Sequence, residues 1–476
     1  MLFNSLEFLI FLPIVLLIYY SLGHRKQNSF LVLASCVFYA SWDWRFLLPL
    51  LCSTSIDYFC ALGMAASIQR GEPRMARRPL MLLSAGINLA LLGFFKYCNF
   101  FVDSLHAMLH GVGIAVPAST LDIILPVGIS FYTFQALSYT IDVYRGEIHA
   151  TRSFKDFFLA ILFFPHLVAG PIQRASNLLS QVVRPRTVSR TQVIDGLNLI
   201  VWGYFKKVVI ADRLAPLVNA VFLAPSPSGG ETALAIFAFA IQIYCDFSGY
   251  TDIARGVAKL MGFEFTLNFN LPYFAVNPSD FWRRWHISLS SWLRDYLFIP
   301  LGGSKHGERK TRRNLMITMV LGGLWHGAAW NFVLWGFYHG ALLVLHRSMQ
   351  PHMQRILWLQ KPWMQLPWKA IRMAVMFALT CYGWLLFRAT SAAQIGAMTR
   401  ALLHPLSGVP VASLITVLTL TAPLLIVQLL QLHSGRLDFY RAANFPRVSA
   451  PIMLGAMGYC VLFLGAQPQS FVYFQF

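Results

Sequence analysis

Charged residues are scarce in this sequence. Only 12% of its 476 residues are Asp, Glu, Lys or Arg, whereas soluble domains average about 25%. Hydrophobic residues make up 57% of the chain, and no polar block between the apolar runs is long enough to fold separately. A soluble core cannot bury this much apolar surface. The sequence therefore predicts an all-α polytopic membrane protein, folded as one domain over residues 1–476.

Cysteine is also sparse, and its spacing is uninformative. The seven cysteines lie in or beside apolar runs and form no C-x-x-C pair. This pattern is typical of buried thiols and argues against a disulfide framework or a metal site, so we expect no metal and no bound cofactor. The first apolar run has no preceding basic residue and no small-x-small cleavage site after it, which predicts a retained span, not a signal peptide.

Acidic residues are half as frequent as basic ones, 19 against 38. The basic residues form short clusters between apolar runs, at 24–26, 70–78 and 145–155, and do not follow one helix face. This distribution argues against nucleic-acid binding and is typical of cytoplasmic loops in a membrane protein. The clusters follow the first, third and fifth predicted spans, so these spans are predicted to end in the cytoplasm and the N-terminus is predicted to lie outside it.

Eleven apolar runs approach the ~20 residues needed to cross a bilayer. They are residues 6–22, 30–42, 46–64, 79–97, 121–144, 194–223, 232–250, 315–346, 366–387, 411–432 and 451–464. A further apolar segment, Phe157–Pro171, contains two prolines and His166, which favours a re-entrant or broken helix lining a cavity. The two halves of the chain show no internal repeat. We interpret His166 as a contact between helices with a supporting role.

The longest polar interruption, residues 268–314, contains eight Lys or Arg residues. Asn277 is suited to cap a helix that begins at Pro278. If that helix continues, one of its faces carries Trp282, Trp285, His286, Leu289 and Leu293. The pattern predicts an amphipathic helix that directs His286 toward the membrane interior. A flexible basic loop, Gly302–Lys310, is expected to follow on the cytoplasmic side.

Two histidines are candidate catalytic residues. His326 lies within a long apolar run, where an ionisable group is a functional candidate, and three nearby glycines would let the backbone bend. Histidine suits acyl transfer because its ordinary pKa of about 6.5 lets it accept and return a proton near neutral pH. A neutral histidine bonded between helices remains the alternative for His326, and interfacial packing for His286. Asp246 and Asp252 are interpreted as supporting acids that pair with an arginine or orient a histidine.

Four stretches together resemble the membrane-bound O-acyltransferase family, especially its alginate-acetylating branch. They are FFPHLVAGPI at 163–172, QIYCDFSGYTDIARG at 242–256, NFNLPYFAVNPSDFWRRWHISLSSWLRDYLFIPLGG at 268–303 and GLWHGAAWNFVLWGFYHG at 323–340. The opening MLFNSLEFLIFLPIV and the closing FVYFQF extend the similarity over the chain. WRRWHISLS followed by LWHGAAW is the most specific part of the pattern.

The resemblance implies a fold and a site. It implies a ring of about eleven transmembrane helices, with re-entrant and interfacial helices, around a central funnel and tunnel. His326 matches the essential intramembrane histidine of the family, and His286 matches its second histidine. In the similar D-alanyl transfer system, the membrane protein receives an acyl group at the cytoplasmic face and passes it to an extracytoplasmic partner.

The leading hypothesis is an O-acetyltransferase acting on alginate or a similar exopolysaccharide. Acetyl-CoA is the expected donor, periplasmic acetyltransferase proteins are the expected partners, and membrane lipid surrounds the chain. Residues assigned to substrate binding are Arg283, Arg284, Trp285, Trp325 and Asn331. D-alanyl transfer to a cell-wall polymer remains an alternative, as does a transporter of a polysaccharide precursor, although a transporter should show repeat symmetry. The polymer itself stays open, because a partner protein would select it.

Overall fold

The computed structural model describes the chain apart from residues 115–120, 122, 169, 357–360, 439–448, 468, 470 and 473–476. The last residues of the FVYFQF stretch thus lie outside the described part. Within that part the secondary structure is helical and contains no strand, which confirms the all-α prediction. The chain divides into two compact units, one of residues 1–200 with 253–266 and one of residues 201–252 with 267–476.

The first unit consists of short and medium helices. They are α1 Leu6–Ser21, α2 His24–Asp43, α3 Leu47–Gln69, α4 Arg78–Leu92, α5 Cys98–Gly111, α6 Ile129–Arg145, α7 Phe154–Leu162, α8 Phe164–Leu167, α9 Ala175–Val183 and the first part of α10 Arg190–Tyr204. A buried carboxylate, Asp57 of α3, accepts hydrogen bonds from Ser84 (2.6 Å) and Asn88 (2.8 Å) of α4. Such bonds join helices where lipid offers no partner.

The predicted break in the Phe157–Pro171 segment is confirmed. Helix α7 ends at Leu162 and is followed by the single turn α8. His166 of α8 is fully buried, and its Nε2 lies 3.3 Å from Oε1 of Gln135 in α6. His166 therefore links two helices within the first unit.

The second unit contains the longer helices. They are the end of α10, α11 Asp212–Leu223, most of α12 Gly229–Leu260, α13 Pro278–Trp282, α14 Ile287–Leu293, α15 Glu308–His326, α16 Trp330–Gln354, α17 Pro362–Arg388, α18 Ala392–Ala401, α19 Val411–Ser434 and α20 Ser449–Phe463. A π-helical stretch, Phe205–Ala211, joins α10 to α11.

The predicted single span over residues 315–346 is wrong. Helix α15 ends at His326, the chain turns, and α16 returns beside it as an antiparallel hairpin. Glycine permits this close approach: a Cβ on Gly323 would lie 2.2 Å from the carbonyl oxygen of Phe332, and one on Gly336 would lie 2.4 Å from that of Met319. At the open end Glu308 pairs with Arg347 at 2.8 Å. The bend that the glycines predict is thus a complete reversal.

The predicted continuous amphipathic helix is also wrong, although its start is confirmed. The Oδ1 atom of Asn277 accepts a hydrogen bond from the backbone N–H of Asp280 at 2.8 Å, with Pro278 in the first helical position. The helix ends at Trp282, and the next begins only at Ile287. His286 lies between them in a left-handed conformation with φ 43°, so the residues from Trp282 to Leu293 do not share one helical face.

Five helical stretches of the described chain are long and apolar enough to cross a membrane. They are 24–69, 74–111, 229–260, 362–388 and 411–434. Large apolar side chains remain exposed on them, including Leu48, Leu89 and Leu418, as expected for lipid-facing surfaces. The polytopic fold is therefore confirmed, whereas the count of eleven spans, the ring with its funnel and the single domain stay predictions.

The hairpin makes a prediction about sidedness. In a variant lacking the native cysteines, single cysteines replacing exposed Lys305 and exposed His352 should react with an impermeant maleimide from the same side of the membrane, because α15 and α16 run antiparallel. The positive-inside rule predicts that this side is the cytoplasm. Labelling of the two positions from opposite faces would mean that residues 315–346 cross as one span.

Candidate active site

The position of His286 is set by a strained turn. A non-glycine residue with φ 43° costs about 1–3 kcal/mol, so neighbouring contacts must stabilise it. Asn268 supplies them: its carbonyl accepts from the N–H of Ile287 at 2.9 Å, and its Oδ1 accepts from the N–H (3.2 Å) and Oγ (2.9 Å) of Ser288. Asn268 thus holds the start of α14 and, with it, the imidazole of His286.

The His286 side chain is fully buried and lies outside the long apolar spans. The centre of its ring lies 4.7 Å from the ring centre of Phe247 and 5.8 Å from that of Trp325. Among the described residues, neither ring nitrogen has a hydrogen-bond partner. Burial lowers the pKa of His286 from its ordinary value to about 3, so the imidazole is neutral at physiological pH.

His326 is the last residue of α15, at the turn of the hairpin. Aromatic rings surround it, with centroids 5.1 Å away for Trp325, 5.0 Å for Trp335 and 5.5 Å for Phe387. Its ring centre lies 6.3 Å from that of His286. The structure therefore brings together the two histidines that the sequence singled out, close enough for both to contact one bound group.

A cavity of about 230 Å³ reaches His326. Its lining includes the buried residues His326, Trp335 and Thr318, and it also includes Arg294, whose side chain is 63% exposed. The cavity therefore connects the protein surface with the imidazole. Among the described residues that line it, none belongs to the five assigned to substrate binding.

The residues assigned to substrate binding lie outside the lining of this cavity and contact other parts of the protein. Trp285 is fully buried against Trp384, with ring centres 4.7 Å apart, and Trp325 lies beside both histidines. The Asn331 amide donates to the carbonyl of Phe387 at 3.0 Å, which holds that ring near His326.

The two arginines of this group differ from each other. Arg284 pairs with Asp280 at 2.9 Å, whereas the Arg283 side chain is exposed. Direct contact of these two arginines with a substrate stays a prediction.

The supporting acids pair with lysines. Asp252 lies 2.6 Å from Lys206, and Asp246 lies 2.7 Å from Lys207, which also pairs with Asp212 at 2.8 Å. Asp246, Lys207 and Asp212 are each 2% exposed in their side chains. Two adjacent lysines inside an apolar run were the sequence feature that could have identified these partners.

The same ion cluster anchors a segment near the end of the chain. The Oδ2 atom of Asp246 accepts from the N–H of Val472 at 2.7 Å, and the Lys207 ammonium donates to the carbonyl of Gln469 at 3.2 Å. Phe471 then packs against Phe247, with ring centres 5.7 Å apart. Since Phe247 also contacts His286, the cluster supports one wall of the histidine pair.

Another buried histidine, besides His166, His286 and His326, was missed by the sequence reasoning. His339 of α16 is 1% exposed. Its ring centre lies 4.7 Å from that of Trp335 and 6.0 Å from that of Phe281. Within the described chain its ring nitrogens have no hydrogen-bond partner. It follows Trp335 by one helical turn, a spacing that places it behind the ring that contacts His326.

Apolar helices long enough to cross a bilayer, together with two neighbouring buried imidazoles of which one lines a cavity, are features of a membrane-embedded enzyme. The profile of the membrane-bound O-acyltransferase family matches residues 147–387, and the chain belongs to that family. It is therefore an acyltransferase, which supports the leading hypothesis over a transporter.

Individual relatives agree with this assignment. The chain is 41% identical to a probable alginate O-acetylase AlgI of Pseudomonas putida, over 96% of this chain and 92% of the relative. It is 35% identical to a peptidoglycan O-acetyltransferase of Helicobacter pylori, over 82% and 77% of the two chains. A teichoic acid D-alanyltransferase of Bacillus subtilis is 26% identical over 55% of this chain and 68% of its own.

The ion cluster leads to a stability prediction. Lys207→Met should destabilise the protein by about 3–5 kcal/mol, because it leaves the buried carboxylates of Asp212 and Asp246 without their cation. Thermal unfolding in detergent would measure the change, with exposed Lys305→Met as the charge-matched control. Equal melting temperatures for both variants would contradict a stabilising role for Lys207.

Proposed function

We propose that this protein takes an acetyl group from a cytoplasmic thioester, acetyl-CoA, and passes it across a bacterial inner membrane for O-acetylation of an exopolysaccharide, alginate or a similar polymer. The observation that carries the proposal is the His286–His326 pair, whose ring centres are 6.3 Å apart and whose second member, His326, lines a surface-connected cavity. Periplasmic acetyltransferase proteins would complete the transfer to the polymer.

The reaction requires a base for the acceptor hydroxyl. His326 takes the hydroxyl proton as the acceptor oxygen attacks the thioester carbonyl, and the tetrahedral intermediate then collapses with cleavage of the C–S bond. The proton held by His326 passes to the departing thiolate, so acetyl ester and free thiol are the products. His286, which is neutral, is placed to donate a hydrogen bond to the carbonyl oxygen as negative charge develops on it.

The enclosure around His326 favours a small acyl group. Trp335 and Phe387 are 1% and 0% exposed, so their rings leave little space beyond the imidazole. Close packing of this kind makes the insertion of extra methylene groups costly. An acetyl group fits this requirement better than a long acyl chain.

Exposed basic residues of the polar segment 268–314 suit a phosphorylated donor. Four of these side chains are exposed and are available to attract the phosphates of coenzyme A. They are Arg283, Lys305, Arg309 and Lys310. The proposed cytoplasmic entry follows from the positive-inside assignment of the same segment.

The names of the similar proteins support the choice of acceptor class. The relatives with 40–43% identity are probable alginate O-acetylases, and each is matched over 82–96% of this chain. The D-alanyltransferases match at 26% and 29% over about half of it. An acetylated exopolysaccharide is therefore the product class that we favour over a D-alanylated polymer.

The central prediction concerns His326. His326→Ala and His326→Gln should both abolish polymer acetylation while the protein still inserts, since the change removes the base and leaves the hairpin glycines in place. Ester-linked acetate on the polymer would be measured in a strain complemented with each variant, with membrane abundance quantified in parallel. Exposed His404→Ala is the matched control and should acetylate normally. Full acetylation with an abundant His326 variant would overturn this role.

A second prediction separates the roles of the histidines. His286→Ala should lower acetylation by about 10²–10³-fold, the loss expected for one donor to a developing oxyanion, while leaving binding of the donor largely intact. Purified protein would be assayed for release of thiol from acetyl-CoA, with donor affinity determined by isothermal titration calorimetry. Wild-type turnover in this variant would remove His286 from the reaction path.

A further inference from the structure

A second and larger cavity of the second unit has neither histidine of the pair in its lining. It is an open groove of about 610 Å³ between α16, α17 and the segment before α13. Apolar residues form most of its lining, including Leu342, Leu345, Met349, Val375 and Leu379. We propose that this groove binds an anionic phospholipid, with an acyl chain along the apolar lining and the phosphate at Arg372. This site is independent of the proposed acetyl transfer.

The polar part of the groove carries positive charge without negative charge. Arg372 and His346 line it, and the described lining residues include no Asp or Glu. A groove with an apolar body and a cationic end is complementary to an amphiphile with an anionic head. A zwitterionic lipid would satisfy the apolar part equally well but would meet the guanidinium with a weaker net attraction.

Arg372 has unused hydrogen-bonding capacity. Its Nε donates to the carbonyl of Val276 at 3.2 Å, which fixes the guanidinium at the groove, and this is its one hydrogen bond within the described part of the chain. A guanidinium has five N–H donors in a planar fork that matches phosphate oxygens in a bidentate arrangement. The two terminal nitrogens of Arg372 are therefore available to a phosphate.

The surroundings of the groove match the edge of a bilayer. Exposed Leu345 (55%), Met349 (48%) and Val375 (53%) form its apolar rim. Toward the start of α17, exposed Lys369 lies about one helical turn from Arg372, and Trp363, which is 66% exposed, lies about two and a half turns away. Tryptophan and lysine at the end of a spanning helix are typical of the headgroup region. The rim thus faces hydrocarbon while Arg372 lies near the level of the headgroups.

A phospholipid is favoured over the phosphorylated thioester for a geometric reason. The groove lining does not include His286 or His326, and the cavity that reaches His326 has a different set of lining residues. A donor bound in the groove would leave its acyl group away from both imidazoles. An acyl chain, in contrast, needs an extended apolar surface that is open to the bilayer, and this groove provides one.

Native mass spectrometry of the full-length protein in detergent tests the proposal. Dioleoyl phosphatidylglycerol should bind more tightly than dioleoyl phosphatidylcholine, and Arg372→Gln should reduce that preference by about fivefold, the effect of one basic residue at a lipid phosphate. Lys369→Gln removes the same charge from the same helix outside the lining and is the matched control, for which the preference should change less than for Arg372→Gln. Leu379→Trp should reduce binding of both lipids by filling the groove.

Three results would overturn the site. They are an unchanged lipid preference in Arg372→Gln, equal losses in Arg372→Gln and Lys369→Gln, and displacement of the bound lipid by coenzyme A, which would indicate a donor site. Arg372→Lys provides a folding check that retains the charge, and it should keep most of the preference. Thermal unfolding of each variant distinguishes loss of lipid binding from loss of fold.

Discussion

The close contact between α15 and α16 is the constraint on which the site depends. Gly323 and Gly336 let each helix approach the backbone of the other, and a side chain at either position would force the two apart. Because the hairpin turns directly after His326, this approach also brings Trp335 of the returning helix against the imidazole. The chemistry of His326 therefore rests on backbone packing between two helices, in the way that small residues permit tight helix pairs in membranes.

The buried charges of α12 have a different function from the histidines. Asp246 and Lys207 neutralise each other and also bind the backbone of residues 469 and 472. A buried ion pair contributes little net stability but is costly to break, so it acts as a specific connection more than as a source of folding energy. Here it joins α12, the π-helical stretch before α11 and the late chain segment beside Phe247.

Composition and local pattern predict much of this protein, and tertiary packing determines the rest. Apolar run length predicted the helical membrane class, and the position of His326 within an apolar run together with the family motif identified the histidine pair.

Local details were predictable only where they depend on neighbouring residues. The helix cap at Asn277 followed from its residue type. The break at His286 could not be predicted from residue type, because it depends on hydrogen bonds that Ile287 and Ser288 donate to Asn268, which lies eighteen residues before His286. Hydropathy could not distinguish a hairpin from one long span over residues 315–346, since both are equally apolar. The lysine partners of Asp246 and Asp252 required knowledge of which helices are neighbours.

The anchoring of Val472 by Asp246 has a consequence for biogenesis. The bond joins residues 226 positions apart, so Asp246 enters the membrane long before its backbone partner has been synthesised. During that interval the carboxylate depends on Lys207, which precedes it in the chain and also pairs with Asp212, and its second oxygen stays without its final donor. Completion of the wall behind His286 therefore waits until Phe471 and Val472 have been synthesised, and a nascent chain that has inserted α12 still lacks that wall.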